Sequence, residues 1–177
     1  IDRQKYQLER VGEFTASYAR KDNLVTVYQM TLPESDVVVL LYENEEYLSG
    51  GGQSAFSGLK SEIRRFGFFD LAVARWLEEQ DYWQPDVVHL NDWHTGLIPH
   101  FLEELLPSPP ASVFTIHNLS YQGIPSLDLF SETGLSVESS DLLAWDAGDK
   151  NIDFLLQGIA GADLLTTVSK TYARELL

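Results

Sequence analysis

The stretch Val87–Gly96, VVHLNDWHTG, decides the fold of this chain. It begins as an apolar run of strand-forming residues and passes directly into polar and aromatic side chains, with almost no conventional turn residues. In open α/β sheets, ligands bind in the crevice beyond the carboxyl ends of parallel strands. VVHL therefore predicts a sheet strand, and NDWHTG predicts a loop that holds functional side chains.

Apolar runs bounded by turn residues predict five strands, at roughly Asn23–Thr31, Asp36–Glu43, Asp86–Leu90, Ser112–His117 and Asp163–Val168. The first two are separated only by Leu-Pro-Glu-Ser, which predicts a hairpin or meander. The later strands are separated by segments of helical period. The crossover between DVVHL and SVFTIH is long enough for neighbouring parallel strands.

Helical periodicity and stop signals predict helices at Gly58–Gln80, within His94–Pro107, at Lys150–Gly161, and from Lys170 to the end of the chain. Glu132–Lys150 reads as a loop with some helix, and Gly50–Gly52 reads as a flexible turn. Alternating strands and helices predict an α/β fold with a parallel sheet.

Composition excludes several function classes. The 177 residues suit one domain, and the chain starts at Ile1, so we expect a fragment or a processed chain. Lys and Arg number 12 against 27 Asp and Glu, a net charge of −15, which argues against nucleic acid and anionic membranes as partners. The chain has no cysteine, which removes disulfides and thiolate chemistry. It has no apolar run of the roughly 18 residues that a membrane span needs.

Two polar loops follow adjacent predicted strands, NDWHTG and HNLSYQG (His117–Gly123). We expect Asp92 and His117 to lie on the same rim of the sheet. Asp92 can accept hydrogen bonds, Asn118 and His117 can donate and accept them, and Trp93 and Tyr121 offer flat apolar faces. Polyhydroxylated ligands such as sugars require this mixture.

Structural roles remain open for the same residues. Asp92 could cap the following helix, and Asn118 could close an Asx-turn. Trp93 is expected to pack under its loop, and His89 to be a hydrogen-bonded histidine of the sheet interior.

The pattern His89-x-x-Asp92-x-His94 also invites a metal interpretation, but the two histidines straddle a strand-to-helix bend and lack ligand spacing. We therefore expect no metal and no cofactor. The sequence also lacks a P-loop, a dinucleotide glycine fingerprint and a G-x-S-x-G elbow.

Three stretches resemble the N-terminal domain of bacterial glycogen synthases and plant starch synthases: PDVVHLNDWHTGLIP (Pro85–Pro99), FTIHNLSYQG (Phe114–Gly123) and ADLLTTVSKTYARELL (Ala162–Leu177). DVVVLLYENEEYLSGGG and EIRRFGFFDLAVARWLEE are similar to the strand and helix that precede them in that family. The resemblance implies an α/β, Rossmann-like three-layer domain with a mostly parallel sheet, the N-terminal lobe of a GT-B glycosyltransferase.

The resemblance further implies a retaining transfer of glucose from ADP-glucose, or UDP-glucose, to the non-reducing end of an α-1,4-glucan. It assigns catalytic roles to Asp92 and His117, and substrate binding to Trp93, His94, Asn118, Tyr121 and Gln122. It places the protein in the bacterial cytoplasm or, in a plant, in the plastid.

The chain departs from the family pattern in several places. Leu156 stands where the family usually has Lys, and Lys170 where it usually has Pro. The Lys-Thr-Gly-Gly-Leu loop and the C-terminal nucleotide-sugar lobe are absent, so residues 1–177 are expected to form an incomplete acceptor-side lobe, inactive alone. The alternative is a noncatalytic glucan-binding or regulatory module derived from the same lobe.

Overall fold

The computed structural model describes residues 2–48, 58–81 and 83–176. The expected turn at Gly50–Gly52 lies outside these ranges. The elements of the described ranges, in chain order, are β1 (Glu9–Tyr18), β2 (Lys21–Thr31), β3 (Val38–Glu43), α1 (Leu59–Glu79), β4 (Val87–Asn91), α2 (Ile98–Leu105), β5 (Ala111–Ile116), α3 (Leu127–Phe130), α4 (Asp141–Asp146), α5 (Phe154–Gly161), β6 (Leu164–Thr167) and α6 (Lys170–Glu175). Short 3-10 turns occupy Trp93–Thr95, Ser131–Thr133 and Ala147–Asp149.

The strands β4, β5 and β6 form a parallel sheet in that order. Leu90 on β4 lies opposite Phe114 on β5, and Phe114 lies opposite Leu165 on β6. The prediction that DVVHL and SVFTIH are neighbouring parallel strands is confirmed. The α/β class with a parallel sheet is confirmed with it.

The two faces of the parallel sheet differ in burial because successive side chains of a strand point to opposite sides. Leu90, Phe114 and Ile116 are buried, and Gly158 of α5 lies against the ring of Phe114. On the opposite face, Val87 is 53% exposed and Leu164 is 57% exposed.

His89 lies on the exposed face, so the expectation of an interior histidine is wrong. Its predicted hydrogen bond is present, because Nε2 lies 2.6 Å from Oγ1 of Thr115 on β5. His89 lies two residues after the exposed Val87, and side chains two residues apart on a strand point to the same face, so both lie on the exposed face.

The strands β1, β2 and β3 form a separate antiparallel sheet. The expected hairpin between the first two predicted strands is confirmed as β2 and β3, whereas β1 was not predicted. Phe14, Ala16 and Tyr18 of β1 are buried at alternate positions. This sheet packs on α1, with the ring centroids of Tyr18 and Phe68 5.4 Å apart.

Local capping explains where the helices begin. Pro99 lies in the first turn of α2, as expected, and α2 is preceded by a separate 3-10 turn. Helix α5 begins at Phe154 rather than Lys150, because the side chain of Asp153 accepts a hydrogen bond from the N–H of Leu156.

Among the described helices, none combines the length and apolar character needed to cross a membrane.

Candidate functional site

Asp92 joins the two polar loops at the carboxyl end of the parallel sheet. Its Oδ1 accepts hydrogen bonds from the backbone N–H groups of His117 at 2.7 Å and Asn118 at 3.3 Å. Its backbone has φ +54° and ψ −176°, a sparsely populated conformation that costs a residue other than glycine on the order of 1–3 kcal/mol. The expectation that Asp92 and His117 share one rim is confirmed. The capping alternative is not, because the Asp92 side chain makes no capping bond to the following turn.

A pocket of about 570 Å³ opens beside Asp92, a volume within the range of small-molecule sites. It brings together most of the residues that the sequence singled out. Its lining consists of Leu59, Glu62, Asp92, Trp93, His94, Asn118, Ser120, Tyr121, Gln122, Gly123 and Ile124.

Trp93 supports the pocket from below, and its packing role is confirmed. It is 3% exposed, and its ring lies 5.3 Å from that of Phe66 and 4.3 Å from that of His94. Gly123 has φ +64°, and a Cβ there would overlap the Trp93 ring, so this loop position requires glycine. The open aromatic face at the pocket is instead that of Tyr121, which is 68% exposed.

His94 is the histidine that lines the pocket. Burial lowers its pKa, while the negative charges of Asp92 and Glu62 oppose that shift. The ring is held partly out of water by Phe66, whose centroid is 4.4 Å away. A neutral imidazole in this position can both donate and accept a hydrogen bond.

His117 lies beside the pocket rather than in its lining. Its side chain is exposed, and Nε2 lies 3.0 Å from Oδ1 of Asn91. Asn118 closes the expected Asx-turn, because its Oδ1 accepts the N–H of Ser120 at 2.9 Å. Asn118 also lines the pocket, so the structural and binding interpretations of this residue are compatible.

Sequence reasoning missed three polar residues of the site, Glu62, Ser120 and Asn91. Glu62 lies on α1, four residues before Phe66, and this spacing puts both on one helix face. Asn91 is the last residue of β4 and holds the His117 ring. Leu156, at the position where Lys was expected, is not among the lining residues.

The charged side chains that line the pocket are all acidic. Asp92 and Glu62 are its acidic groups, and no Lys or Arg stands among the described lining residues. In the described ranges, no three His, Cys, Asp or Glu side chains are grouped so that they could hold a metal ion. The expectation of no metal and no cofactor stays a prediction.

Residues 1–177 match the family model of the starch synthase catalytic domain. The glycogen synthase of Desulforudis audaxviator is 41% identical over 177 residues, which cover 94% of this chain and 34% of that protein. The glycogen synthase of Cellvibrio japonicus is 35% identical over 178 residues, 96% of this chain and 35% of that protein.

A solved structure has the same fold. The catalytic domain of starch synthase IV from Arabidopsis thaliana, bound to ADP and acarbose, matches with a TM-score of 0.81 and 25% identity, over 96% of this chain and 35% of that one. The chain thus spans about a third of the length of these relatives. On the family match and these identities, the chain belongs to the family of starch synthase catalytic domains.

Proposed function

We propose that this chain is the acceptor-side N-terminal lobe of a retaining glucosyltransferase, which moves glucose from ADP-glucose or UDP-glucose to the non-reducing end of an α-1,4-glucan. The observation that carries the proposal is the fixed carboxylate of Asp92 at the wall of a sugar-sized pocket. The family membership supplies the reaction class.

The chemistry of Asp92 follows from its two hydrogen bonds. The N–H groups of His117 and Asn118 hold Oδ1, and no described residue donates to Oδ2. Oδ2 can therefore accept a hydrogen bond from a glucose hydroxyl. A fixed negative charge at this wall also stabilises the positive charge that develops on the glucosyl ring as the diphosphate leaves.

The neighbouring side chains complete a surface for a neutral sugar. His94 offers a neutral donor and acceptor, and Asn118 and Gln122 offer amides. The exposed ring of Tyr121 offers an apolar face of the kind that a pyranose packs against. We assign His117 a contact with the transferred glucose from the rim, next to Asn91.

The diphosphate of the donor needs cations that this pocket does not supply, because its described lining contains no Lys or Arg. We therefore propose that a second lobe holds the nucleotide sugar. Two findings support this: the relatives are about three times as long as the region matched, and the matching starch synthase IV structure has ADP bound.

The test is transfer of radiolabelled glucose from ADP-glucose to maltoheptaose by the 177-residue chain, and by the same chain joined to a second lobe. We expect transfer only from the two-lobed protein. The loss of three donor-side contacts at about 3 kcal/mol each slows the reaction by roughly six orders of magnitude. Elongation by the chain alone would overturn the assignment of half a site.

The same assay separates an enzyme from a binding module. A two-lobed protein that binds maltoheptaose and transfers no glucose would support the noncatalytic alternative. An Asp92→Asn change in the two-lobed protein keeps an acceptor for the two N–H groups and removes the charge. We expect it to lower turnover by about 100-fold, the usual cost of one electrostatic contact of the transition state.

A further inference from the structure

A buried carboxyl group of α1 is hydrogen-bonded to the segment that follows the pocket loop. Asp70 is 0% exposed, and its Oδ2 accepts a hydrogen bond from the backbone N–H of Leu97 at 3.0 Å. Leu97 follows the DWHTG stretch and immediately precedes Ile98, the first residue of α2. Neither Asp70 nor Leu97 lines the pocket.

Asp70 accepts the N–H of Leu97, the residue immediately before α2, whereas Asp92 makes no bond to the start of this helix. The N–H groups of Thr95 and Gly96 are bonded within the 3-10 turn, and Leu97 has the next N–H along the chain. The first N–H groups of a helix have no partner inside it. Because the carboxylate of Asp92 is bound to the other polar loop, Asp70 satisfies the Leu97 N–H from a different helix.

Asp70 belongs to a stripe on α1 that follows the DWHTG turn along its length. Glu62, Phe66 and Asp70 are four residues apart and so lie on one helix face. Glu62 lines the pocket, and the Phe66 ring lies 5.3 Å from that of Trp93 and 4.4 Å from that of His94. The turn therefore meets α1 at both of its ends.

The opposite side of the turn is closed as well. A Cβ on Gly96 would overlap the carbonyl oxygen of Phe154, the first residue of α5. The turn is thus held between α1 and the start of α5. In such a clamp, a small displacement of the Leu97 N–H is transmitted to the residues that precede it.

Burial favours the neutral form of the Asp70 carboxyl. Burial raises its pKa well above the ordinary range, and the hydrogen bond from Leu97 opposes that shift only in part. Its Oδ1 has no hydrogen-bond partner among the described residues. An amide oxygen of the same shape can replace a neutral carboxyl at Leu97, whereas a methyl group cannot.

We propose that Asp70 is a positioning residue of the pocket: through the N–H of Leu97 it fixes the Trp93–Gly96 turn and so holds His94 at the pocket wall. The proposal goes beyond the glucosyltransferase assignment and does not depend on it, since the position of His94 is measurable without any transfer reaction.

The test compares Asp70→Asn with Asp70→Ala in the full chain, by NMR titration with maltotriose and by NMR titration of the histidine rings. His94→Gln identifies the His94 signal. We expect Asp70→Asn to bind within about twofold of the parent, and Asp70→Ala to bind at least about fivefold more weakly, as for residues coupled through one hydrogen bond. In Asp70→Ala the pKa of His94 should rise toward its ordinary value of about 6.5 as the turn admits water.

Asn23→Ala is the matched control for lost stability alone. Asn23 is 4% exposed, and its Nδ2 donates to the carbonyl of Lys21 at 2.7 Å in the antiparallel sheet. We expect this variant to leave both the maltotriose affinity and the His94 titration unchanged. A folded Asp70→Ala with unchanged affinity and an unchanged His94 titration would overturn the proposal, as would equal effects in Asn23→Ala.

Two further measurements test the proposal if Asp70→Ala does not fold or if maltotriose does not bind. Amide hydrogen exchange in the parent chain should show the Leu97 N–H exchanging as slowly as the buried core of α2, and fast exchange at Leu97 would contradict the proposal. If maltotriose does not bind the parent, the glucan assignment fails, and the His94 titration of the variants still decides the role of Asp70.

Discussion

The two sheets of this chain use their loops for different purposes. In the antiparallel sheet, Ala19 and Arg20 connect β1 to β2 with φ values of +53° and +59°, and Tyr18 pairs directly with Lys21. In the parallel sheet, the strands are connected through helices, and the loops after β4 and β5 are free to hold polar side chains. In the antiparallel sheet the residues with positive φ reverse the chain, whereas in the parallel sheet the residue with positive φ, Asp92, has its carboxylate bonded to the neighbouring loop.

This difference separates stability from binding. Residues of the antiparallel sheet contribute to the core through Phe14, Val25 and Val27, and none of β1, β2 or β3 lines the pocket. Most of the polar residues after the parallel strands are half-buried or exposed, and several of them line the pocket. Changes in the first sheet should therefore alter folding alone, and changes at the rim of the second should alter ligand binding.

The largest expected effect is on the turn of the parallel sheet. Gly96→Ala places a methyl group against the Phe154 carbonyl oxygen, which cannot move without shifting α5. We expect about 3 kcal/mol or more of lost stability in urea denaturation, the upper range for overpacking.

The comparison variant for Gly96→Ala is Gly12→Ala in the antiparallel sheet. There the new Cβ would lie 2.8 Å from the outer edge of the Trp76 ring, a side-chain contact rather than a contact with helix backbone. We expect a loss of about 1 kcal/mol. Equal losses at the two glycines would show that the turn is not rigidly clamped.

A second effect concerns the pH dependence of stability at Asp70 on α1, the helix that packs on β1 and on α2. Burial raises the pKa of Asp70 in the folded state. The protonated carboxyl group therefore contributes its full share of the folding free energy below the pKa of an unfolded aspartate, about 3.9, and that contribution is lost as the pH rises toward the pKa of Asp70 in the folded protein. Asp70→Asn does not titrate.

The stability of Asp70→Asn relative to the parent should therefore grow with pH above about 4, by up to about 1.4 kcal/mol per pH unit while the parent Asp70 keeps its proton. Urea denaturation at several pH values measures it. The other ionisable groups are common to both proteins, so their contributions cancel in the difference. A difference that is independent of pH would show that Asp70 ionises normally.

We expect Asp92→Ala to lose less stability than Gly96→Ala, although it should weaken ligand binding strongly. Asp92→Ala removes the acceptor for the N–H groups of His117 and Asn118, at a cost of about 1 kcal/mol. Asn44→Ala is the comparable change in the antiparallel half: Oδ1 of Asn44 accepts the N–H groups of Glu46 at 3.0 Å and Tyr47 at 2.8 Å, and its Nδ2 also donates to the carbonyl of Leu24. We expect Asn44→Ala to lose at least as much stability as Asp92→Ala, and glucan binding to weaken only in Asp92→Ala. Calorimetry that finds binding intact in Asp92→Ala would contradict the site.

The parallel half of the fold was predictable from the sequence because its strands are short apolar runs separated by clear helical periods. Strand β1 was not predicted, although Phe14, Ala16 and Tyr18 alternate. Gly12 and Ala16 have low strand propensity, and the pairing shifts at Arg10 and Gly12 as in a bulge. Partner strands, rather than local preference, define such an edge.

The residues of the site were largely predictable, and their roles less so. Asp92 could be read as a cap because its partners, the N–H groups of His117 and Asn118, lie 25 and 26 residues away. The carboxyl group that does accept an N–H just before α2, that of Asp70, lies 27 residues from Leu97 on another helix. Long-range hydrogen bonds of this kind leave no local pattern, so the sequence indicates the groups present but not how they pair.

The measurement that tests the central claim most directly is an NMR titration of the chain with maltoheptaose. The account predicts a Kd of about 1 mM, the affinity of a shallow half-cleft, with the largest shifts at the backbone amides of Asp92, His94, Asn118 and Tyr121. A Tyr121→Ala variant should bind more weakly and keep its stability within about 0.5 kcal/mol. Shifts confined to β1, β2 and β3, or none at the rim of the parallel sheet, would contradict the assignment of this pocket to the glucan.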